Sequence, residues 1–439
     1  MNILRNSILV LFVITAILMS GCKKEEPSAT DQGLSNPNPA QDSPLMEKFH
    51  SGEYFYYVMP HPQGGYFVAG KGKYVDYAFH LGQNGDEVSK NEIGFLCYSR
   101  RGFIDTGEYF VAVGAGGSES APYDMSKYGY FAVFDHSMNS VKMTHVMDER
   151  FNLELNAVAQ DPSDPELFYA GGLANTYVNG HFMQIPYLCS IRFDGNEITV
   201  LSSRVYNNNE YSRVIGMVVK EYQGQKDLIL ELIRYESSSD PTDESAGKIH
   251  VVKPNYFEAK DGWGHDTWDV TLEGPESHSW ARCNTIVADD AKVYCFGFAY
   301  QLKEYDGGGS NKFSRFSGLI AAVNWHSGQL EWQNVDSFSD RSDFFCNGKL
   351  VDGYLYVCGA QSRLKFSSTK MEFSNGLVAK YSTSGTLIAS KTFGSPERDG
   401  VFEGLVKGSD GKILGVGWSG ENLGNDKRRY DGWFVKTDF

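Results

Sequence analysis

Residues Asp343 to Phe393 read as four short strands, and the rest of the chain repeats that unit. The first run is Phe344 to Leu350, and a tight turn at Asp352-Gly353 leads to the second, Tyr354 to Gly359. A polar stretch, Gln361 to Asn375, precedes the third run, Gly376 to Tyr381. A turn at Ser384-Gly385 gives the fourth, Thr386 to Phe393. Short runs rich in aromatic and β-branched residues, bounded by Asp-Gly or Ser-Gly, are hairpin signals. One four-stranded sheet cannot bury its own faces, so a repeated unit of this kind has to stack against its copies.

The opening pair of strands recurs seven times: Tyr54–Gly70, Ile93–Gly114, Leu153–Gly172, Val214–Ile233, Cys283–Gly297, Phe344–Gly359 and Val401–Gly417. Most copies end in a β-rich run closed by Gly. The fourth, with Asp227 to Leu232 as its second strand, lacks it. The third strand and its turn also recur seven times, from Ala78-Phe79-His80 before Asn84-Gly85 to Phe434–Thr437 at the end. Spacing between copies runs from 44 residues (Gly70 to Gly114) to 62 (Gly297 to Gly359), so insertions vary. The last copy stops after its third strand. Its outer strand is expected from about Leu45 to Phe49, a closure that removes sheet edges. The expectation is all-β: one domain over residues 44–439, a seven-bladed β-propeller of four-stranded blades closed by an N-terminal strand.

Met1 to Cys22 reads as a targeting segment, with Arg5 ahead of an apolar run, Ile8 to Met19, too short to span a bilayer comfortably. It ends in Leu18-Met19-Ser20-Gly21-Cys22, which resembles the bacterial lipobox, whose Cys is lipidated and becomes the mature N-terminus. Lys23-Lys24-Glu25-Glu26 resembles the export signal of surface lipoproteins in Bacteroidetes-type bacteria. The plainer reading of such a run is a solvated spacer. Residues 23–43 are a tether, because Pro27 to Ser43 carries too little apolar surface to order itself. These resemblances imply a monomer held at the outer membrane by an N-terminal lipid on Cys22 and exposed at the cell surface.

Ala322-Val323-Asn324-Trp325-His326-Ser327-Gly328-Gln329-Leu330-Glu331-Trp332 resembles the repeat of quinoprotein-like propellers, with Asn324 and Ser327 in place of the usual Asp and Thr. The resemblance implies that Trp332 docks between neighbouring blades. That family holds quinone-dependent dehydrogenases and cofactor-free assembly lipoproteins of the outer membrane. Asp410–Gly417 and Asp431–Asp438 resemble repeats of bacterial cell-surface propellers, in the wider class of WD40-like rings.

The chemistry is sparse. Cys283/Cys295 and Cys346/Cys358 each flank one expected inner hairpin, so either cross-strand disulfides or apolar packing suits them. No C-x-x-C occurs, His265 near Asp261 and Asp266 matches no ligand spacing, and no metal or other cofactor is expected. His61, between Pro60 and Pro62, belongs to a turn. Gly114–Gly117 and Asp306–Ser310 lack the Lys-Ser/Thr of a phosphate loop. A net charge of −15 argues against nucleic acid. The leading expectation is a non-catalytic surface module that binds a glycan or protein. The alternatives are an envelope hydrolase or lyase acting on glycan or cell wall in the central pocket, and an outer-membrane assembly scaffold.

In a four-stranded blade the turns after strands one and three share one rim, and the connections after strands two and four share the other. The first set here is short: Gly64-Gly65, Asp194-Gly195, Ser327-Gly328, Asp352-Gly353, Ser384-Gly385 and Asp410-Gly411. The second set is long: Ala115–Tyr128, Leu173–Pro186, Tyr235–Gly247, Phe298–Ser317, Ala360–Asn375 and Trp418–Tyr430. Binding tends to collect on such loops. Fourth-to-first connections bring Tyr211, Arg213, Trp280, Arg282, Arg341, Asp343, Arg398 and Asp399 toward the channel mouth as candidate anchors for an anionic or sugar ligand. The plainer reading is that each caps a strand or pairs with a neighbouring charge.

Overall fold

The seven repeats fold as seven four-stranded antiparallel sheets arranged in a ring, and among the described residues every regular element is a strand. The structure is a computed structural model. It describes residues 42–439 except 72–75, 96, 98–101, 117–127, 179–180, 206–210, 236–246, 255, 258–265, 275–280, 304–312, 339–341, 363–373, 396–397 and 423–427. Within the strands, the side chains at 177–178, 181–182, 211, 235, 247–248, 281–283, 300–303, 313–315, 362, 422 and 428 also lie outside the description.

After β1 (Met46–Ser51), blade 1 is β2 (Tyr54–Pro60), β3 (Tyr66–Lys71), β4 (Asp76–Leu81) and β5 (Glu87–Glu92). Blade 2 is β6 (Phe103–Asp105), β7 (Phe110–Gly116), β8 (Tyr128–Phe134) and β9 (Ser140–Val146). Blade 3 is β10 (Asn152–Gln160), β11 (Leu167–Val178), β12 (His181–Phe193) and β13 (Ile198–Val205). Blade 4 is β14 (Tyr211–Tyr222), β15 (Gln225–Tyr235), β16 (Gly247–Pro254) and β17 (Asp266–Leu272). Blade 5 is β18 (Ala281–Ala288), β19 (Lys292–Lys303), β20 (Phe313–Asn324) and β21 (Leu330–Asp336). Blade 6 is β22 (Asp343–Val351), β23 (Tyr354–Ser362), β24 (Ser374–Ser382) and β25 (Leu387–Phe393). Blade 7 is β26 (Arg398–Lys407), β27 (Ile413–Asn422) and β28 (Arg428–Thr437), completed by β1.

The closure falls where the sequence places it. Met46 lies opposite Lys436 and Ser51 opposite Asp431, so the N-terminal strand forms the outer edge of the last blade. Asp42 reaches further, exchanging hydrogen bonds with Thr392 of blade 6. One correction concerns blade 2. The copy expected from Ile93 begins later, because Ile93 still bonds Asp76 of blade 1 and the inner strand is only Phe103–Asp105.

The core lies between blades. Tyr294, Phe296 and Ile320 of blade 5 pack on Phe345, Leu355 and Val357 of blade 6. Val111, Val113 and Phe131 of blade 2 pack on Leu155, Phe168 and Ala170 of blade 3. Each such side chain contributes roughly 1.5–3 kcal/mol through burial. Outer strands are more exposed; Glu87–Glu92 has no buried residue. Trp332 docks as expected, against Gly385 of the next blade. Trp268 of blade 4 does the same against Gly328 of blade 5 and donates its indole N–H to Trp325 O at 3.2 Å. An insertion ahead of Trp268 hides that copy from repeat spacing.

The Gly that closes most second strands has a steric cause. Gly172, Gly359 and Gly417 lie opposite the inner strand where its register slips. A Cβ there would overlap the carbonyl oxygens of Glu154, Phe344 and Val401.

Candidate functional site at the channel mouth

Six inner strands carry one bulged residue near their first turn of pairing: Tyr56, Asn156, Ile215, Asn284, Cys346 and Glu403. A bulge leaves a residue outside the ladder and re-aims its side chain. Here the polar ones, with their neighbours, reach to the next blade. Tyr57 Oη donates to Phe103 O (3.0 Å), Asn156 Nδ2 to Val214 O (3.5 Å) and Asn284 Nδ2 to Phe345 O (2.7 Å). Thr285 Oγ1 donates to Cys346 O (3.5 Å) and Asn347 Nδ2 to Glu403 O (3.2 Å). Tyr54 Oη closes the series across the 7–1 junction with a 2.8 Å bond to Glu403 Oε1. The result is a buried polar belt joining blades around the axis. Such groups persist in a core only when they are hydrogen-bonded.

Three of the expected site residues serve the frame. Asp343 is fully buried and accepts the Phe338 N–H at 2.8 Å, fixing the connection that precedes its own strand. Asp399 accepts the Ser374 N–H at 3.0 Å and so caps the third strand of blade 6. Arg398 lies across its own blade, bonding Ser419 Oγ (3.1 Å) and Asp431 Oδ2 (2.5 Å), with its guanidinium over Phe49. Arg213 is half-buried two positions ahead of the blade 4 bulge, the register place of Tyr54 in blade 1. Arg282 holds the same place in blade 5 by register. Tyr211 begins β14. Trp280 and Arg341 lie outside the described residues, as do Cys22, His265 and Asp261. Asp266 pairs with Arg234 at 3.1 Å.

The hairpin disulfides are corrected by the same bulges. Cys283 lies opposite Gly297, while Cys295 lies opposite Ile286 and is a free, buried thiol. Cys358 lies opposite Asn347, and Cys346 occupies the bulge. Their side chains enter different clusters: Cys346 with Ala360 and Val401, Cys358 with Tyr356 and Phe402. Packing, the other reading, fits the buried Cys295, Cys346 and Cys358, while the Cys283 side chain lies outside the described residues.

Two further groups escaped the sequence. At the blade 1–2 junction the Cys97 N–H (2.6 Å) and Tyr56 Oη (3.2 Å) both bond Asp76 Oδ2. Burial raises the Asp76 carboxyl and pushes the Cys97 thiol well up, away from the thiolate a nucleophile needs. On the opposite rim the His61 and His80 rings stack at 3.6 Å, and His61 Nε2 lies 2.6 Å from His136 O.

The long connections also differ from loops. Leu173 pairs with Pro186 and Val178 with His181, so β11 and β12 rise as a continuous hairpin. Ala299 pairs with Ser317 and Lys303 with Phe313 in blade 5; Gly420 pairs with Tyr430 and Asn422 with Arg428 in blade 7. Among the described residues, three β-arms thus stand on the rim where the inner strands begin.

No protein-family model and no curated protein matches this chain. Solved structures with a similar chain path include a polysaccharide lyase, Uly1, at 9% identity and TM-score 0.45, covering 91% of this chain and 90% of that one. Prolyl oligopeptidase B from Galerina marginata matches at 11% identity and TM-score 0.44, over 88% of this chain and 52% of its own. The WD40 domain of SCAP from fission yeast matches at 10% and 0.38, over 90% and 89%.

Proposed function

We propose that this chain is a lipid-anchored surface module, tethered through residues 23–43, that binds a glycan or protein on the rim carrying the β-arms. The observation behind this reading is the coincidence of three arms with the channel mouth, above a polar belt whose groups are committed to neighbouring blades. A frame that is already hydrogen-bonded holds its surface in place, so binding costs little ordering. Variable arms then set what is bound.

Three measurements test the reading. Protease shaving of intact cells should cleave the chain, and Cys22→Ser should move it to the soluble envelope fraction. Glycan and protein arrays should yield a partner that protects arm amides from hydrogen exchange. Release of cleaved product from that partner would overturn the non-catalytic reading, and protection confined to the short-turn rim would overturn the choice of face.

A further inference from the structure

Blade 7 presents two unlike sides above the ring. The side toward blade 6 is polar, with Arg398, Ser419 and Asp431 bonded together. The side toward blade 1 is aromatic. Trp418 lies on the same side of β27 as Leu414 and Val416, which pack on Phe55 and Val58 of blade 1. Its ring stacks on Tyr54 of blade 1 at 5.8 Å between centroids and 24° between planes. Tyr430 stands against Trp418 at 5.2 Å and 84°, and is 42% exposed. Two rings lie near-parallel as a floor and the third rises as a wall.

The corner is held in shape from below and from behind. Tyr54 Oη is tied to Glu403 Oε1, itself 3% exposed, and Asn347 Nδ2 holds the Glu403 carbonyl. Tyr430 lies over Gly420, where an added Cβ would sit 3.1 Å from Cε1 and 3.3 Å from Cδ1. The indole N–H of Trp418 is enclosed and has no hydrogen-bond partner among the described residues. Rigid aromatic walls with a few placed polar groups are the usual lining of small-ligand sites.

We infer that this corner is a subsite for a neutral saccharide ring. A pyranose has a flat C–H face to lie on the floor rings and edge hydroxyls to meet the wall. Among the described residues the charges beside the rings are paired, Arg429 with Glu421 at 2.8 Å and Arg398 with Asp431. A chain of net charge −15 adds to that preference. This inference rests on the arm-face reading above and narrows it to one junction and one ligand class.

The test uses the whole chain on an array of neutral oligosaccharides, with sulfated and uronic glycans as the anionic arm and a peptide array as the protein arm. At least one neutral oligosaccharide should bind and shift the tryptophan emission. Tyr430→Ala should weaken it about tenfold and Tyr430→Phe about twofold or less. Gly420→Ala should also weaken it, because the new Cβ displaces the wall ring. Thermal melts of the three variants check folding, which an exposed Tyr430 should not decide. Preference for anionic glycans, capture by peptides alone, or unchanged affinity in Tyr430→Ala overturns the subsite. If Arg213→Ala abolishes binding while Tyr430→Ala does not, the arm face stands and the subsite falls. If neither matters, both fall.

Discussion

The turns on one rim are made by side chains that fold back on their own backbone. Asp161, Asp194, Asp289 and Asn324 each accept amides two and three residues on, at 2.7–3.1 Å. Glycines 195, 328, 353, 385 and 411 take the positive φ that these turns require. The other rim has no common rule: three of its connections extend as paired arms, and the rest differ in length. The contrast separates two jobs. A rim whose turns are locally determined fixes the strand register, and an insertion there would shift every side chain to the wrong face. The opposite rim can lengthen without disturbing the ladder below it, while exposed rings occur on both rims, Tyr430 on an arm and Tyr222, Phe257 and Tyr354 beside the turns.

The largest break joins both rims. Deleting residues 42–51 removes β1, leaving β28 as an open edge and exposing Phe434 and Trp433. Loss of a closing strand should cost more than about 5 kcal/mol and bring aggregation. A chain that still melts cooperatively within a few degrees of the intact protein would show that ring closure is not what holds the blades.

Turn glycines allow a finer cut. Gly328 has φ 72° and takes the Trp268 ring of the preceding blade, whereas Gly195 has φ 91° and open space around it. Gly328→Ala should cost about 3 kcal/mol, combining backbone strain with a displaced indole, and Gly195→Ala about 1 kcal/mol. Equal costs in urea unfolding would mean that interblade docking adds nothing to the local turn.

Much of this frame was legible because its signals are local. Hairpin glycines, alternating strands and the Trp332 dock all sit within one repeat. The mouth was less legible for a physical reason. Arg398, Asp399 and Asp343 look like ligand anchors in a sequence, yet the strand they begin brings each within reach of a backbone or carboxylate that it satisfies. The aromatic corner joins Tyr54 to Trp418 and Tyr430 across the whole chain, so only ring closure assembles it. The blade 3 arm did leave a local trace. Asn179-Gly180 is a strong hairpin pair in the sequence, and the flanking Val178 and His181 are paired.

The turn rim also holds the pH-sensitive point. His61 is 4% exposed, and burial followed by the nearby His80 lowers its pKa to about 4. The unfolded side chain titrates near 6.5, so the unfolded state gains the proton first. Stability is complete above about pH 6.5 and is lost as pH falls toward 4. The loss at pH 5 should be about 2 kcal/mol, and His61→Phe should flatten it while keeping a ring against His80. An unchanged slope of melting temperature between pH 7 and 5 in that variant would assign acid sensitivity to other groups.

The smallest expected effect is the sharpest test of the division between rims. In blade 3, Asn175 and Gln184 lie directly opposite each other, three pairs below the tip of the arm. Replacing residues 176–183 by Asn-Gly places a two-residue hairpin link at that level. The buried part of the blade, from Leu167 to Ala174 and from Pro186 to Phe193, keeps its ladder and its contacts with Val111 and Leu155. If the arm belongs only to the binding face, stability should change by about 0.5 kcal/mol or less, the range of ordinary surface substitutions. Urea unfolding monitored by tryptophan emission measures this, and the slope with denaturant should fall only slightly, because little buried surface is removed. A loss of several kcal/mol would mean that the arm is part of the frame, and the two rims would no longer divide folding from recognition.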